Sequence, residues 1–524
     1  MTPPIRRTSR LRQRVMAALC AAALAAPTAT VPARAQNQLP ALGDSASESF
    51  GIGTERKVGD QIMREVRRDP DYSDDPVLLE YLQGLFQPLV ASARQRGEIG
   101  AELDQRFAFE PFLVRDRSVN AFALPGGYIG VHLGLIGMTA TRDELASVLA
   151  HELSHVTQRH IARNIANSSR QSLIGAVAMI LGVLAASRAD SMDAANAVIT
   201  GSQAATIQGQ LNFSRDMERE ADRIGFAIMT GAGFAPDGMA DMFEKLAHSS
   251  RLNDSGNFPY LRSHPLTTER IGEARARLGT AARTAPPSVL EHSAARARAR
   301  VLMDMRAVAL RRLQPLDGDT TDVPVADQLL AAYQSALAST LLRDWPRADA
   351  ALAKAQALVQ GSPRSDARAQ RAVALLTVQS MLERGDAARA AAAFKPHAGE
   401  VSRPVALLGA RIALVRGDEA GLKRTAEDLQ TWVSGRPQDA EAWSLLAQTW
   451  NRLGHGLRAL RAEAEARFAL GDLAGASDRL RAGQRLARSG AAPDFIEASV
   501  IDARLRDVDA ERRRLFVEAR EQGG

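Results

Sequence analysis

Apolar positions keep a helical period through most of the chain and an extended one in a single short region. Gly53 to Val66 and Val77 to Arg96 read as helices parted by a Pro/Asp-rich break at Asp69 to Pro76. Phe107 to Val114 and Asn120 to Leu124 are extended and apolar, Pro125-Gly126-Gly127 turns the chain, and Tyr128 to Val131 resumes as strand. One small sheet is expected there, with Asn120 to Leu124 a candidate edge on which an extended peptide could pair. Thr141-Arg142-Asp143-Glu144 has the form of a capping box. Leu145, Val148, Leu149 and Val156 follow at helical spacing, which predicts an amphipathic helix. Phe213 to Gly231, Asp237 to Ala247 and Thr268 to Leu278 read as further helices. Leu173 to Ala186 is an apolar run of fourteen residues, short for a bilayer span. A buried helix is the plain expectation, and a hairpin touching membrane or an apolar client the sharper one.

Ala281 to Pro287 looks like a linker, and Pro315 to Pro324 is a second break after an Arg/Ala-rich helix. Beyond it the chain reads as helical hairpins. Turn signals recur at Arg343-Asp344-Trp345-Pro346, Gly385-Asp386, Gly417-Asp418, Leu453-Gly454-His455 and Gly471-Asp472, the first four separated by 42, 32 and 37 residues. That period resembles tetratricopeptide repeats, whose stacked hairpins form a concave binding face; an ordinary helical bundle is the alternative. Asp509 to Arg520 reads as a final charged helix. The expected organisation is a domain over residues 36–280, a linking helix and loop over 281–325, and a repeat domain over 326–524.

At 524 residues the chain exceeds one ordinary core. Residues 1–35 have a basic start (Arg6, Arg7, Arg10, Arg12, Arg14), an apolar run from Val15 to Ala29, and Ala33-Arg34-Ala35 as a small-residue cleavage site. This is the pattern of a cleaved export signal. Without its six arginines the chain has 60 basic and 60 acidic residues, so the high pI is no argument for nucleic-acid binding. Cys20, the one cysteine, lies in that leader. The mature chain then has no thiol for disulfides, zinc–thiolate sites or cysteine catalysis, which suits an oxidising compartment such as a bacterial periplasm.

Within the capped helix stands His151-Glu152-Leu153-Ser154-His155. Residues four apart share a helix face, so both histidines can address one metal ion, and Glu152 can reach a water beside it as a general base. A catalytic zinc needs a third protein ligand. Glu218 and Asp222 lie four apart on a later helix. Glu218 can complete the set while Asp222 hydrogen-bonds a ligand histidine. Glu220 competes but points about 200° around the helix from Glu218, and the pairing with Asp222 favours Glu218. His160 stands nine residues from His151 and reads as structural.

His151 to His155 with Glu218-Arg219-Glu220-Ala221-Asp222, preceded by Asn120-Ala121-Phe122-Ala123-Leu124-Pro125-Gly126-Gly127, resembles the HtpX-like and CAAX-prenyl-endopeptidase zinc metallopeptidases, a gluzincin family. The resemblance implies a mainly α fold: a zincin-like metallopeptidase domain with a small β-sheet, followed by an α-helical tetratricopeptide-like domain. It makes His151, His155 and Glu218 the ligands of one zinc ion per chain, Glu152 the catalytic base and Asp222 the acid behind them. His264, in Ser263-His264-Pro265, is a candidate oxyanion donor. It could instead fill the open zinc position at rest, or simply pack its loop. Resemblance to periplasmic members with a repeat half implies clients among outer-membrane β-barrel proteins, with the barrel-assembly machinery as partner. Two other classes compete: a chaperone or assembly scaffold with gated or secondary proteolysis, and an integral-membrane protease using Leu173 to Ala186. Short of that, the segment offers a peripheral membrane contact.

Overall fold

The computed structural model describes residues 50–167, 214–252, 258–278, 290–318, 322–361, 366–489 and 494–522, all within one compact unit, Ser45–Gly524. The expected leader and Leu173 to Ala186 lie outside the described residues.

Helix α1 (Ile52–Val66) lays Ile62, Met63 and Val66 against Phe112, Leu124 and Tyr128 of a four-stranded sheet. The sheet is built from β1 (Tyr72–Ser73), β2 (Glu110–Val114), β3 (Ala121–Leu124) and β4 (Tyr128–His132), in the order β1-β2-β4-β3. β2 and β4 run parallel, with Glu110 opposite Tyr128. β3 folds back antiparallel on β4, with Ala121 opposite Val131, and forms one edge. The turn between β3 and β4 needs glycine: Gly126 and Gly127 have φ of 78° and 90°, which other residues adopt only under strain. β1 falls in the stretch read as a break. Two residues give no period to detect.

The described helices up to residue 278 are completed by α2 (Pro76–Gln95), α3 (Ala101–Arg106), α4 (Leu133–Met138), α5 (Arg142–Thr157), α6 (His160–Asn167), α7 (Arg215–Gly231), α8 (Asp237–Leu252), α9 (Pro259–Ser263) and α10 (Thr268–Arg277). α5 starts as expected. Thr141 Oγ1 accepts from the Glu144 N–H at 3.1 Å, while Glu144 reaches back to the Ala140 N–H. The expected amphipathic face is absent: every residue from Asp143 to Thr157 is buried. α5 is enclosed by β3, α2, α7 and α8, so its polar residues point into the protein, and a helix covered on all sides loses its solvent face.

A linking helix, α11 (Leu290–Leu302), leads through α12 (Ala307–Leu313) into a series of antiparallel neighbours: α13 (Val325–Leu341), α14 (Trp345–Gln360), α15 (Ala367–Glu383), α16 (Ala387–Phe394), α17 (Arg403–Arg416), α18 (Glu419–Gly435), α19 (Ala440–Arg452), α20 (Gly456–Ala469), α21 (Leu473–Arg488) and α22 (Phe495–Gln522). Three of the turn signals share one device. Gly385, Gly417 and Gly471 take left-handed φ, then Asp386, Asp418 and Asp472 cap the next helix through their carboxylates. The last helix is longer than expected. It begins beside Asp494, whose carboxylate accepts from the Glu497 N–H.

Carboxylates around the start of α2 tie the two halves together. Asp75 caps α2 and takes both Nε and Nη2 of the buried Arg298 on α11 at 2.6 Å. Arg403 on α17 bridges Asp74 and Asp439, and Arg371 on α15 bridges Glu80 and Glu400. Nearby, the Tyr81 hydroxyl donates to His292 Nδ1 at 2.6 Å, and His292 Nε2 donates to the Thr139 carbonyl at 3.2 Å. Burial lowers the His292 pKa from 6.5 to about 3. Between those values the unfolded chain binds a proton that the folded chain excludes, so this contribution is complete above pH 6.5 and falls as the pH drops. Acidification from pH 6.5 to 5 is expected to cost about 2 kcal/mol here. The measurement is the difference in Tm-versus-pH slope between the natural protein and His292→Gln, an amide that keeps both hydrogen bonds without titrating.

Candidate metal centre

The motif helix and α7 meet closely because Gly225 faces the α5 backbone. A methyl group there would come within 3.1 Å of the Ala150 carbonyl and the His151 nitrogen. This approach brings Glu218 to the two histidines. His151 Nε2 lies 3.0 Å from His155 Nε2, while Glu218 Oε2 is 3.4 Å from the first and Oε1 is 3.5 Å from the second. His264, just after α9, adds its Nδ1 at 3.3 Å from His151 Nε2 and 3.0 Å from Glu218 Oε1. All four side chains are buried, and their ligand atoms lie within 4.8 Å of one another. Its position is set by Tyr260: the rings stack 4.7 Å apart, and the His264 N–H donates to the Tyr260 carbonyl.

Glu152 is fully buried, and neither carboxylate oxygen has a hydrogen-bond partner among the described residues. The His264 Nε2 atom stands 3.5 Å from its Oε1. A buried carboxylate left so is costly unless a ligand or water completes it.

Asp222 lies behind the ring, with Oδ1 2.9 Å from His151 Nδ1. That leaves Nε2 of His151 turned toward the other donors, the arrangement expected of a carboxylate behind a ligand histidine. Arg270 on α10, which the sequence reading passed over as part of a charged helix, holds both acids. It donates from Nε and Nη2 to Asp222 at 2.7 and 2.8 Å, and its Nη1 is 2.8 Å from Glu218 Oε2 and donates to the Pro265 carbonyl at 2.9 Å.

The charges fit a divalent cation. Glu152, Glu218 and Asp222 are buried with one guanidinium, Arg270, so with the histidines neutral, as metal ligands must be, their formal charges leave two negative. Burial opposes charging His151, but hydrogen bonds to Asp222 and Glu218 outweigh it and raise its pKa to about 10. For Glu218, burial is outweighed by His264 and His151, which hold it well below the carboxylate range. Burial and the neighbouring His151 keep His155 neutral. A pair of imidazoles with a carboxylate, all buried and convergent, is a donor set that suits zinc.

Glu220 points away, as its place on the helix requires. It meets His160 Nε2 at 3.0 Å and Arg163 at 2.9 Å. His160, read from its spacing as structural, lies against the site. Its Nδ1 lies 2.8 Å from His155 Nδ1. Burial, the largest influence, lowers its pKa to about 4.

A small sheet flanks a buried helix that carries two histidines, and a glutamate from a second helix joins them in a group able to hold one metal ion. Residues 86–278 match the family model for peptidase family M48. A Vibrio cholerae relative is 40% identical over 277 residues, covering 52% of this chain and 53% of the relative. The beta-barrel assembly-enhancing protease of Escherichia coli is 35% identical over 270 residues, 51% of this chain and 52% of that protein. These two matches span about half the length of the relatives. The protein of the same name from Yersinia pestis is 31% identical over 466 residues, 86% of this chain and 89% of that protein. The chain belongs to peptidase family M48, among relatives named beta-barrel assembly-enhancing protease.

Proposed function

We propose that this protein is a periplasmic zinc endopeptidase acting in the quality control and assembly of outer-membrane β-barrel proteins, in contact with the barrel-assembly machinery. The observation that carries the peptidase reading is the convergence of four buried donors beside an unpartnered buried Glu152. The relatives' printed names support the β-barrel clients. Export rests on the leader pattern of residues 1–35. No helix among the described residues is long and apolar enough to cross a membrane. The helical hairpins after α12 are read as tetratricopeptide-like, with a concave face for clients or partners.

His151, His155 and Glu218 would hold the zinc ion. When bound, zinc supplies a Lewis acid that polarises a peptide carbonyl and acidifies water. Glu152 takes the proton of the attacking water and passes it to the departing amine. Asp222 holds His151, and Arg270 holds both acids in place. His264 stands where the reactants must enter. In this position it is a fourth donor that closes the site; withdrawn with its loop, it can donate from Nε2 to the developing oxyanion. That closed arrangement favours a second reading, a chaperone or assembly scaffold whose proteolysis is gated.

The test is the zinc content and casein cleavage of the purified mature protein beside Glu218→Ala. Wild type is expected to bind one zinc per chain. The variant should lose more affinity than the roughly 100-fold that an outer hydrogen-bond partner costs, and with it cleavage. Undiminished zinc in the variant removes Glu218 from the site.

A further inference from the structure

We propose that His160 and Glu220 position His155 by fixing which of its ring nitrogens carries the proton, so that Nε2 stays free for metal. The proposal rests on the zinc reading above and adds two residues to it.

The turn that presents His160 is unusual. Arg159, between α5 and α6, has φ of 52°, a left-handed conformation that costs a bulky residue of order 1 kcal/mol or more. Its side chain offsets that cost: Nε reaches Glu55 Oε2 at 3.1 Å and Nη2 donates to the Phe50 carbonyl at 2.6 Å. The reversal carries His160 back against the ligand it follows by five positions, with ring centroids 4.9 Å apart and planes at 72°. His160 is fully buried.

The hydrogen-bond order follows from the end of the chain. Glu220 Oε2 is an acceptor that also takes the Arg163 Nη1 donor at 2.9 Å, so His160 Nε2–H donates to the same oxygen across 3.0 Å. In a neutral imidazole the other nitrogen is then an acceptor. His160 Nδ1 receives the Nδ1–H of His155 across 2.8 Å. Nε2 of His155, facing His151 and Glu218, keeps its lone pair. His151 is fixed by a carboxylate directly; His155 is fixed by one through an intervening imidazole. The chain also joins α6 to α7, which brings Glu218.

The experiment measures zinc affinity by chelator competition, with the Tm of the metal-free protein, for wild type, His160→Leu, His160→Gln and Glu220→Ala. A glutamine amide can accept from His155 and donate to Glu220, so His160→Gln is expected to bind zinc within about threefold of wild type. His160→Leu is expected to bind about 10- to 100-fold more weakly. Glu220→Ala, at a partly exposed position, should lose at least threefold and reads the same chain should His160→Leu fail to fold. Wild-type affinity in His160→Leu or in Glu220→Ala overturns the proposal, as does equal loss in the leucine and glutamine variants, which marks a packing role. Failure of the wild type itself to bind zinc sinks the peptidase reading instead.

Discussion

Glu152→Gln is expected to slow peptide hydrolysis by about 100- to 10,000-fold while the zinc stays bound. The carboxylate lies outside the ring of donors formed by His151, His155, Glu218 and His264, so an isosteric amide leaves metal affinity in place. It removes only the capacity to take and return a proton. His264 Nε2 stands 3.5 Å from Oε1, and the amide next to it has no carboxylate to take the proton. The checks are steady-state cleavage of casein and zinc per chain on the same preparation. A rate within tenfold of wild type removes Glu152 from the role of base. The variant also separates the two functional readings: full support of outer-membrane assembly by Glu152→Gln makes peptidase chemistry secondary.

Arg270→Met is expected to destabilise the metal-free protein by about 3–5 kcal/mol. The guanidinium is buried and engages two buried carboxylates, Glu218 and Asp222. Removing it strands both and frees the Pro265 carbonyl beside His264. For Asp222, burial would raise the pKa, but bonds to His151 and Arg270 hold it below the usual range. Part of that support disappears in the variant. Added zinc should recover part of the loss, because it returns positive charge to Glu218. Denaturant unfolding with and without zinc measures both effects. A change below about 0.5 kcal/mol, the size of an ordinary surface substitution, places the charge balance elsewhere.

The parts of the site legible in the sequence are those set by local helical geometry. His151 and His155, four apart after a capping box, announce themselves, and Glu218 follows from its pairing with Asp222 at the same spacing. Arg270 and His160 depend on how separate elements meet. A charged residue on a charged helix has no local mark that it will be buried, although three acids in one core imply a buried cation somewhere. The contact of His160 with His155 could not be read from its spacing to His151, because the left-handed turn at Arg159 returns the chain against His155. The helix spacing of Ile501, Leu505 and Val508, all buried, was available for the missed half of α22. The strand pair around Pro125 to Gly127 was legible from its turn.

The ties between Asp75 and Arg298, and between Arg403, Arg371 and their carboxylates, restrict how this site can open. Rocking α11, together with the helical array that follows it, away from α2 would strand the buried Asp75–Arg298 pair, at about 3–5 kcal/mol. That alone leaves the rocked form more than about 100-fold rarer. The segment from Tyr260 to Pro265 that carries His264 is held instead by ring stacking and by the Arg270 bond to the Pro265 carbonyl. On the proposed reading, admitting a substrate would therefore call for movement of the segment that carries His264 rather than for a hinge between α2 and α11.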